Sequence, residues 1–260
     1  MLDTALRLEG KPVRLQFIVW KPNGEGPFPV LLFNHGSTGR GTEPTMFRKP
    51  YFHEPIGRYF TERGWMVVTP MRRGRGWSDG LYDEGFGVPR AGGYTCITDW
   101  SLAGSERALA DLTAAFNVLS TWPEVDASRI VVGGQSRGGI LAVTFAGRNL
   151  DRVGGVINFV GGWMAEICPN AGVINGTLVT KHVSAKPPML WLYGDRDPYY
   201  SLDHSRWFFD RFTEAGGKAT YHAIEPNPGA SGHGISYTPE LWQAHVNKYM
   251  TDLGFTAFGN

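Results

Sequence analysis

Short apolar runs recur along the chain, separated by longer amphipathic stretches. "PVLLF" (29–33), "WMVVTP" (65–70), "RIVVGG" (129–134), "VGGVINFV" (153–160) and "PPMLWLYG" (187–194) are too short for buried helices. Rich in β-branched and aromatic residues, they read as strands covered on both faces. Between them lie helical patterns: Glu54 to Arg63, closed by Gly64; "SERALADLTAAFNVLS" (105–120); and the small-residue-rich "GGILAVTFAGRNL" (138–150). Ser201 to Ala215 and Pro239 to Leu253 read as helices flanking a last strand, "KATYHAIE" (218–225). At the N-terminus, β-type alternation from Ala5 to Val19 breaks at Gly10-Lys11, and Asn23-Gly24 supplies a turn before the first buried strand. Strand and helix alternate to the end without a composition break. The pattern predicts an α/β fold: one domain over residues 1–260, built on a mostly parallel sheet with helices on both faces.

Two connections exceed the usual length, 72–100 and 161–187. The second reads as irregular, a small cap-like insertion. Long loops at the C-terminal ends of parallel strands are where open α/β sheets bind ligands, so Trp77, Tyr94, Trp163 and Tyr199 in these and neighbouring loops are candidate pocket residues.

Composition narrows the function classes. A formal net charge of +1, with Lys and Arg scattered over 260 residues, supplies no basic patch for nucleic acid or an acidic membrane. The two cysteines, Cys96 and Cys168, lack C-x-x-C spacing or a histidine pair, so no metal site is expected, and they read as small buried residues, not a disulfide. The first residues carry charges and lack the apolar core of a secretory signal, and no stretch has transmembrane length, which points to a cytoplasmic protein.

Two pentapeptides fit the G-x-S-x-G pattern of serine nucleophiles: "GWSDG" around Ser78 and "GQSRG" around Ser136. The chemistry requires a tight strand-to-helix turn that lifts the hydroxyl above the sheet, flanked by small residues. Ser136 lies between the strand "RIVVG" and the helix "GGILAVTFAG", with glycines two residues to either side. Ser78 sits in a glycine-rich loop with neither, and reads as a turn serine. A phosphate-binding reading of "GGQSRGG" fails because the chain has no G-x-x-x-x-G-K-[ST] and this turn has no G-x-G-x-x-G. At the head of its helix, the Arg137 amide is placed to hold developing negative charge.

The partners of such a serine follow in the order acid, then histidine. Asp195 and Asp197 in "YGDRDPYY" are both available as the acid, and His233 lies between glycines in a loop before the final helix. The other six histidines fall outside that loop.

The order "FNHG", "RRGRGWSDG", "GGQSRGG", "LYGDRDP", "SGHG" resembles the α/β-hydrolase superfamily over nearly the whole chain, in particular its dienelactone hydrolase and prolyl-oligopeptidase-type branch. The resemblance implies Asp197 as the catalytic acid, Asp195 as a turn residue, and Ser37, after His35-Gly36, as the second oxyanion amide, with Thr38 next. Classical dienelactone hydrolases use a cysteine nucleophile where this chain has serine. Prolyl-oligopeptidase-type peptidases carry a large propeller for which this chain has no room. The expectation is therefore a compact serine esterase that cleaves a small-molecule ester through an acyl-enzyme, without a cofactor. A small peptidase or amidase sharing the triad is the alternative, as is a non-catalytic binding protein on the same fold. Sequence leaves a homodimer open.

Overall fold

The computed structural model describes residues 1–149, 151–183 and 187–258. The elements run β1 (Leu2–Leu8), β2 (Lys11–Trp20), β3 (Phe28–Asn34), α1 (Pro44–Phe47), α2 (Glu54–Thr61), β4 (Met66–Met71), α3 (Thr98–Leu119), β5 (Val125–Gln135), α4 (Arg137–Arg148), β6 (Gly155–Phe159), α5 (Ala171–Thr180), β7 (Met189–Gly194), α6 (Leu202–Glu214), β8 (Ala219–Ile224) and α7 (Pro239–Asp252).

Among the described residues, the strands form one sheet in the order β1-β2-β4-β3-β5-β6-β7-β8. The hairpin β1-β2 and the β2-β4 pair are antiparallel. From β4 to β8 every pairing is parallel. The hairpin turns on Glu9 and Gly10, both at positive φ, a geometry that matches strand twist. Strands β3, β4, β6 and β7 are buried along their whole length, which is why their sequences show no alternation. Helices α3, α4, α5 and α6 pack in succession on one face, and α2 meets α7 on the other. The main core fills the space between sheet and helices on both faces.

Both long connections differ from the sequence expectation. Helix α3 begins at Thr98, so the preceding connection ends earlier than expected. The stretch 161–187 is not irregular throughout, because Ala171–Thr180 forms α5 against α4 and α6. Its sequence "AGVINGTLVT" is poor in strong helix formers, with two glycines and several β-branched residues. Packing on its neighbours decides its conformation. Residues 184–186 of that stretch, Leu150 at the end of the expected helix 138–150, and residues 259–260 lie outside the described residues. No described helix is long and apolar enough to cross a membrane.

The cysteine expectation is overturned. Cys96 and Cys168 form a disulfide with their Cα atoms 5.7 Å apart. They are distant in sequence, but each lies just ahead of one of the packed helices α3 and α5, and the fold brings those two helix entrances together. The Asn170 side chain adds a 2.9 Å hydrogen bond to the Cys96 carbonyl. Reducing the disulfide frees a long loop in the unfolded chain, so we expect reductant to lower unfolding stability by about 2–4 kcal/mol. Denaturant melts with and without reductant check this; superimposable curves would contradict it.

Candidate active site

Strand β5 ends at Gln135, and the chain turns through Ser136 directly into α4. Ser136 adopts φ +56°, a left-handed conformation that a side-chain-bearing residue holds only when its surroundings enforce it. The enforcement is visible. The Ser136 amide donates to the Phe159 carbonyl at 3.0 Å, and its own carbonyl accepts from the amides of Gly139 and Gly162. The turn is tight enough to exclude side chains beside it: a Cβ on Gly134 would lie 2.4 Å from the Gly138 backbone, and one on Gly138 would lie 2.0 Å from the Asn34 carbonyl oxygen. Both glycines of the pentapeptide are therefore sterically required.

The two aspartates that sequence left open occupy different environments. Asp195 is half-exposed, 3.7 Å from the Arg196 guanidinium. Asp197, in the turn after β7, is buried; its Oδ1 accepts the Tyr199 and Tyr200 amides, and its Oδ2 lies 2.9 Å from His233 Nδ1. His233 lies on a short 3-10 turn, Gly232–Tyr237, with its amide on the Ser231 hydroxyl. The Gln135 side chain holds this turn to the end of β5, donating to the His233 carbonyl at 3.0 Å and accepting from the Tyr51 hydroxyl at 2.7 Å. The Tyr199 ring edge packs on the imidazole at 4.6 Å.

Ser136 and His233 open onto one cavity of about 650 Å³, together with Ser37 and Arg137. Arg137 is the first residue of α4, where an amide has no acceptor within the helix. Gly36 packs against Ser136, with room for a Cβ only 3.3 Å from the serine Cβ. Of the two sequence choices beside it, the Thr38 amide is occupied by the Tyr94 hydroxyl at 3.1 Å, whereas the Ser37 amide has no acceptor among the described residues. His35 fastens this loop from behind. Its Nε2 accepts from the Arg72 amide at 3.3 Å, which places the proton on Nδ1, where it donates to the Gly36 carbonyl at 2.7 Å. Burial, reinforced by Arg72 and Arg75, holds the imidazole well below its ordinary pKa and keeps it neutral.

Three of the four expected pocket residues, Tyr94, Trp163 and Tyr199, line the cavity. Trp77 does not. It is 69% exposed, and its loop is fastened to β2 by the bonds Trp77 N to Gln16 Oε1, Gln16 N to Ser78 Oγ and Arg14 to Asp79. Ser78 is likewise not part of the cavity lining; it is buried with its hydroxyl donating to the Met71 carbonyl at 2.7 Å. Sequence reasoning missed Tyr51, Gln135, Tyr200 and Tyr237 in the lining. Tyr200 and Gln135 neighbour residues already singled out, a usable signal. Tyr237 lies on the same turn as His233, whereas Tyr51 reaches the site from an element with no motif of its own. Among the described residues, no cluster of three or more metal-ligating side chains is present.

The sequence matches the dienelactone hydrolase family over residues 49–235. No curated protein sequence matches it significantly. Similar solved structures include Est1E from Butyrivibrio proteoclasticus with ferulic acid bound, at TM-score 0.62 and 16% identity, covering 94% of this chain and 96% of that one. Esterase 2 from Thermogutta terrifontis is similar at TM-score 0.57 and 18% identity, covering 97% and 94%. A form of that esterase phosphorylated by paraoxon matches at TM-score 0.56 and 18% identity, with coverage of 97% and 94%. At such identities the structural likeness speaks for the fold. The family match spans well over half of the sequence: the chain belongs to the dienelactone hydrolase family, carboxylic ester hydrolases built on the α/β-hydrolase fold.

Proposed function

We propose that the protein hydrolyses a small-molecule carboxylic ester through an acyl-enzyme, with Ser136 as nucleophile, His233 as general base and Asp197 as its orienting acid. The observation that carries this reading is the 2.9 Å contact between Asp197 Oδ2 and His233 Nδ1, made where His233 and the strained Ser136 turn share one cavity. The contact fixes the tautomer that leaves His233 Nε2 unprotonated. That nitrogen takes the Ser136 proton as Oγ attacks the ester carbonyl, and the carbonyl π electrons move onto oxygen. The oxyanion is held by the amides of Arg137 and Ser37; losing one such donor typically costs about 3–4 kcal/mol of transition-state stabilisation. Collapse expels the alcohol, which takes the proton from His233. Water, deprotonated by the same nitrogen, then releases the acid and restores Ser136.

The cavity favours an apolar or aromatic group on the acyl or alcohol side. Its walls include Tyr51, Tyr94, Trp163, Tyr199, Tyr200 and Tyr237, and its volume lies within the range of small-ligand sites. The ferulic acid bound to Est1E is an aromatic acid of the kind these walls suit. The Cys96–Cys168 disulfide supports an oxidising compartment over the cytoplasm expected from sequence.

We expect Ser136→Ala to lower kcat for a p-nitrophenyl ester by at least about 10⁴-fold. Ser78→Ala should stay within about threefold in kcat while losing roughly 1–3 kcal/mol of stability, because it removes a buried hydrogen-bonded hydroxyl. The reverse pattern would reject the nucleophile. Asp197→Asn should lose about 10⁴-fold in kcat and Asp195→Asn less than about threefold. Equal losses would reject the separation of the two aspartates. Across a substrate panel, aryl esters should be cleaved in preference to aminoacyl anilides; the opposite preference would make the enzyme an amidase.

A further inference from the structure

Behind the two amides assigned to the oxyanion lies a buried ionic cluster that the mechanism above does not use. Its centre is Glu84, in the connection between β4 and α3, with its side chain 2% exposed. Glu84 Oε1 accepts from Arg72 Nε at 2.5 Å. On the other side, Arg137 Nη1 donates to the Glu84 carbonyl at 2.9 Å and lies 3.4 Å from Oε2. Burial opposes the charge on Glu84, but the two guanidinium groups outweigh it and hold the carboxyl below its ordinary range. A buried triad of this kind contributes little net stability relative to well-packed apolar side chains. Its placement suggests another purpose.

Each arginine reaches one of the two amides. Arg72 Nη1 donates to the His35 carbonyl at 2.9 Å, and Nη2 to the Gly36 carbonyl at 3.3 Å. The Gly36 carbonyl and the Ser37 N–H belong to the same planar peptide group and point in opposite directions. Together with the His35 imidazole, which donates to the same oxygen at 2.7 Å, this grip turns the Ser37 N–H away from Arg72 and polarises it, and Ser37 lines the cavity. Arg137 carries the second amide itself. Its guanidinium is fixed by Glu84, by the Trp163 carbonyl at 2.9 Å, and by the ring faces of Tyr94 and Trp163 at 3.6 and 4.2 Å. Within this cluster Glu84 is the shared anion, joining the loop that bears one amide to the helix start that bears the other.

We propose that Glu84 is a positioning residue for the oxyanion site: by holding Arg72 and Arg137 together, it fixes the separation and orientation of the Ser37 and Arg137 amides. The proposal rests on the reading of these amides as the oxyanion donors. It differs in sign from a purely coulombic role. Arg72 and Arg137 outnumber the single carboxylate, and Arg75 is buried nearby with Nε and Nη1 unpartnered among the described residues. Neutralising Glu84 makes the region more positive, which by charge alone would favour an oxyanion. Loss of position predicts slower chemistry instead.

The test is Glu84→Gln, assayed on a p-nitrophenyl ester with competent sites counted by fluorophosphonate titration. The expected result is a kcat per titrated site lower by about 10- to 100-fold with KM within about threefold, since the lost interaction is made in the transition state. Tyr249→Phe serves as the stability control, because Tyr249 bonds Val156 N and Pro188 O at the opposite end of the sheet. It should soften the fold and keep kcat. An unchanged or raised kcat in Glu84→Gln, or an equal loss in Tyr249→Phe, overturns the proposal. Arg72→Lys keeps a cation beside Glu84 but loses both Nη contacts; it should show the same kcat loss, and it decides the matter if Glu84→Gln does not accumulate as folded protein. Failure of the underlying reading has a separate signature, namely ester hydrolysis that survives Ser136→Ala.

Discussion

The left-handed turn at Ser136 is the constraint around which the site is arranged. A residue with a side chain does not adopt φ +56° unless neighbouring backbone leaves no alternative. Here β5 must end against β6, α4 must begin at once, and Gly134 and Gly138 remove the side chains that would keep strand and helix apart. The result is a hydroxyl raised over the C-terminal edge of a parallel sheet, beside the head of a helix. Loops at the same edge bring Asp197 after β7, His233 after β8, and the His35–Ser37 segment after β3.

What holds those loops is a set of buried polar contacts whose members come from distant parts of the chain. Gln135 and Tyr51 hold the His233 turn. His53 caps α2 through Nδ1 and meets the Ser236 hydroxyl with Nε2 at 3.0 Å, and burial pushes its pKa down to about 3, so it serves there as a neutral ring. On the other side of Ser136, Arg72, Glu84 and Arg137 tie the His35–Ser37 loop to the start of α4. Such contacts are costly to leave incomplete in a low-dielectric interior, which confers rigidity where the chemistry needs fixed geometry.

This division explains what the sequence could reveal. The parallel strands announced themselves because burial on both faces removes alternation, and Ser136 was separable from Ser78 because it has a strand before it and a helix after it. Asp197 could be preferred only by resemblance; distance from His233 distinguishes it from Asp195 in the structure. Helix α5 was hidden because packing, not propensity, makes it helical. The disulfide was hidden because cysteine pairing depends on which helix entrances meet. Trp77 was misplaced because its loop is held to β2 by bonds between residues more than sixty positions apart. The aromatic lining was half legible: Tyr200 and Tyr237 stand beside motif residues, but Tyr51 reaches the cavity only through the tertiary fold.

The central claim is that the constrained turn presents the nucleophile, and covalent trapping tests it most directly. Treated with a fluorophosphonate and mapped by peptide mass spectrometry, the protein should carry one adduct, on Ser136. An adduct on Ser78 or another residue, or no adduct on folded protein, would contradict the account.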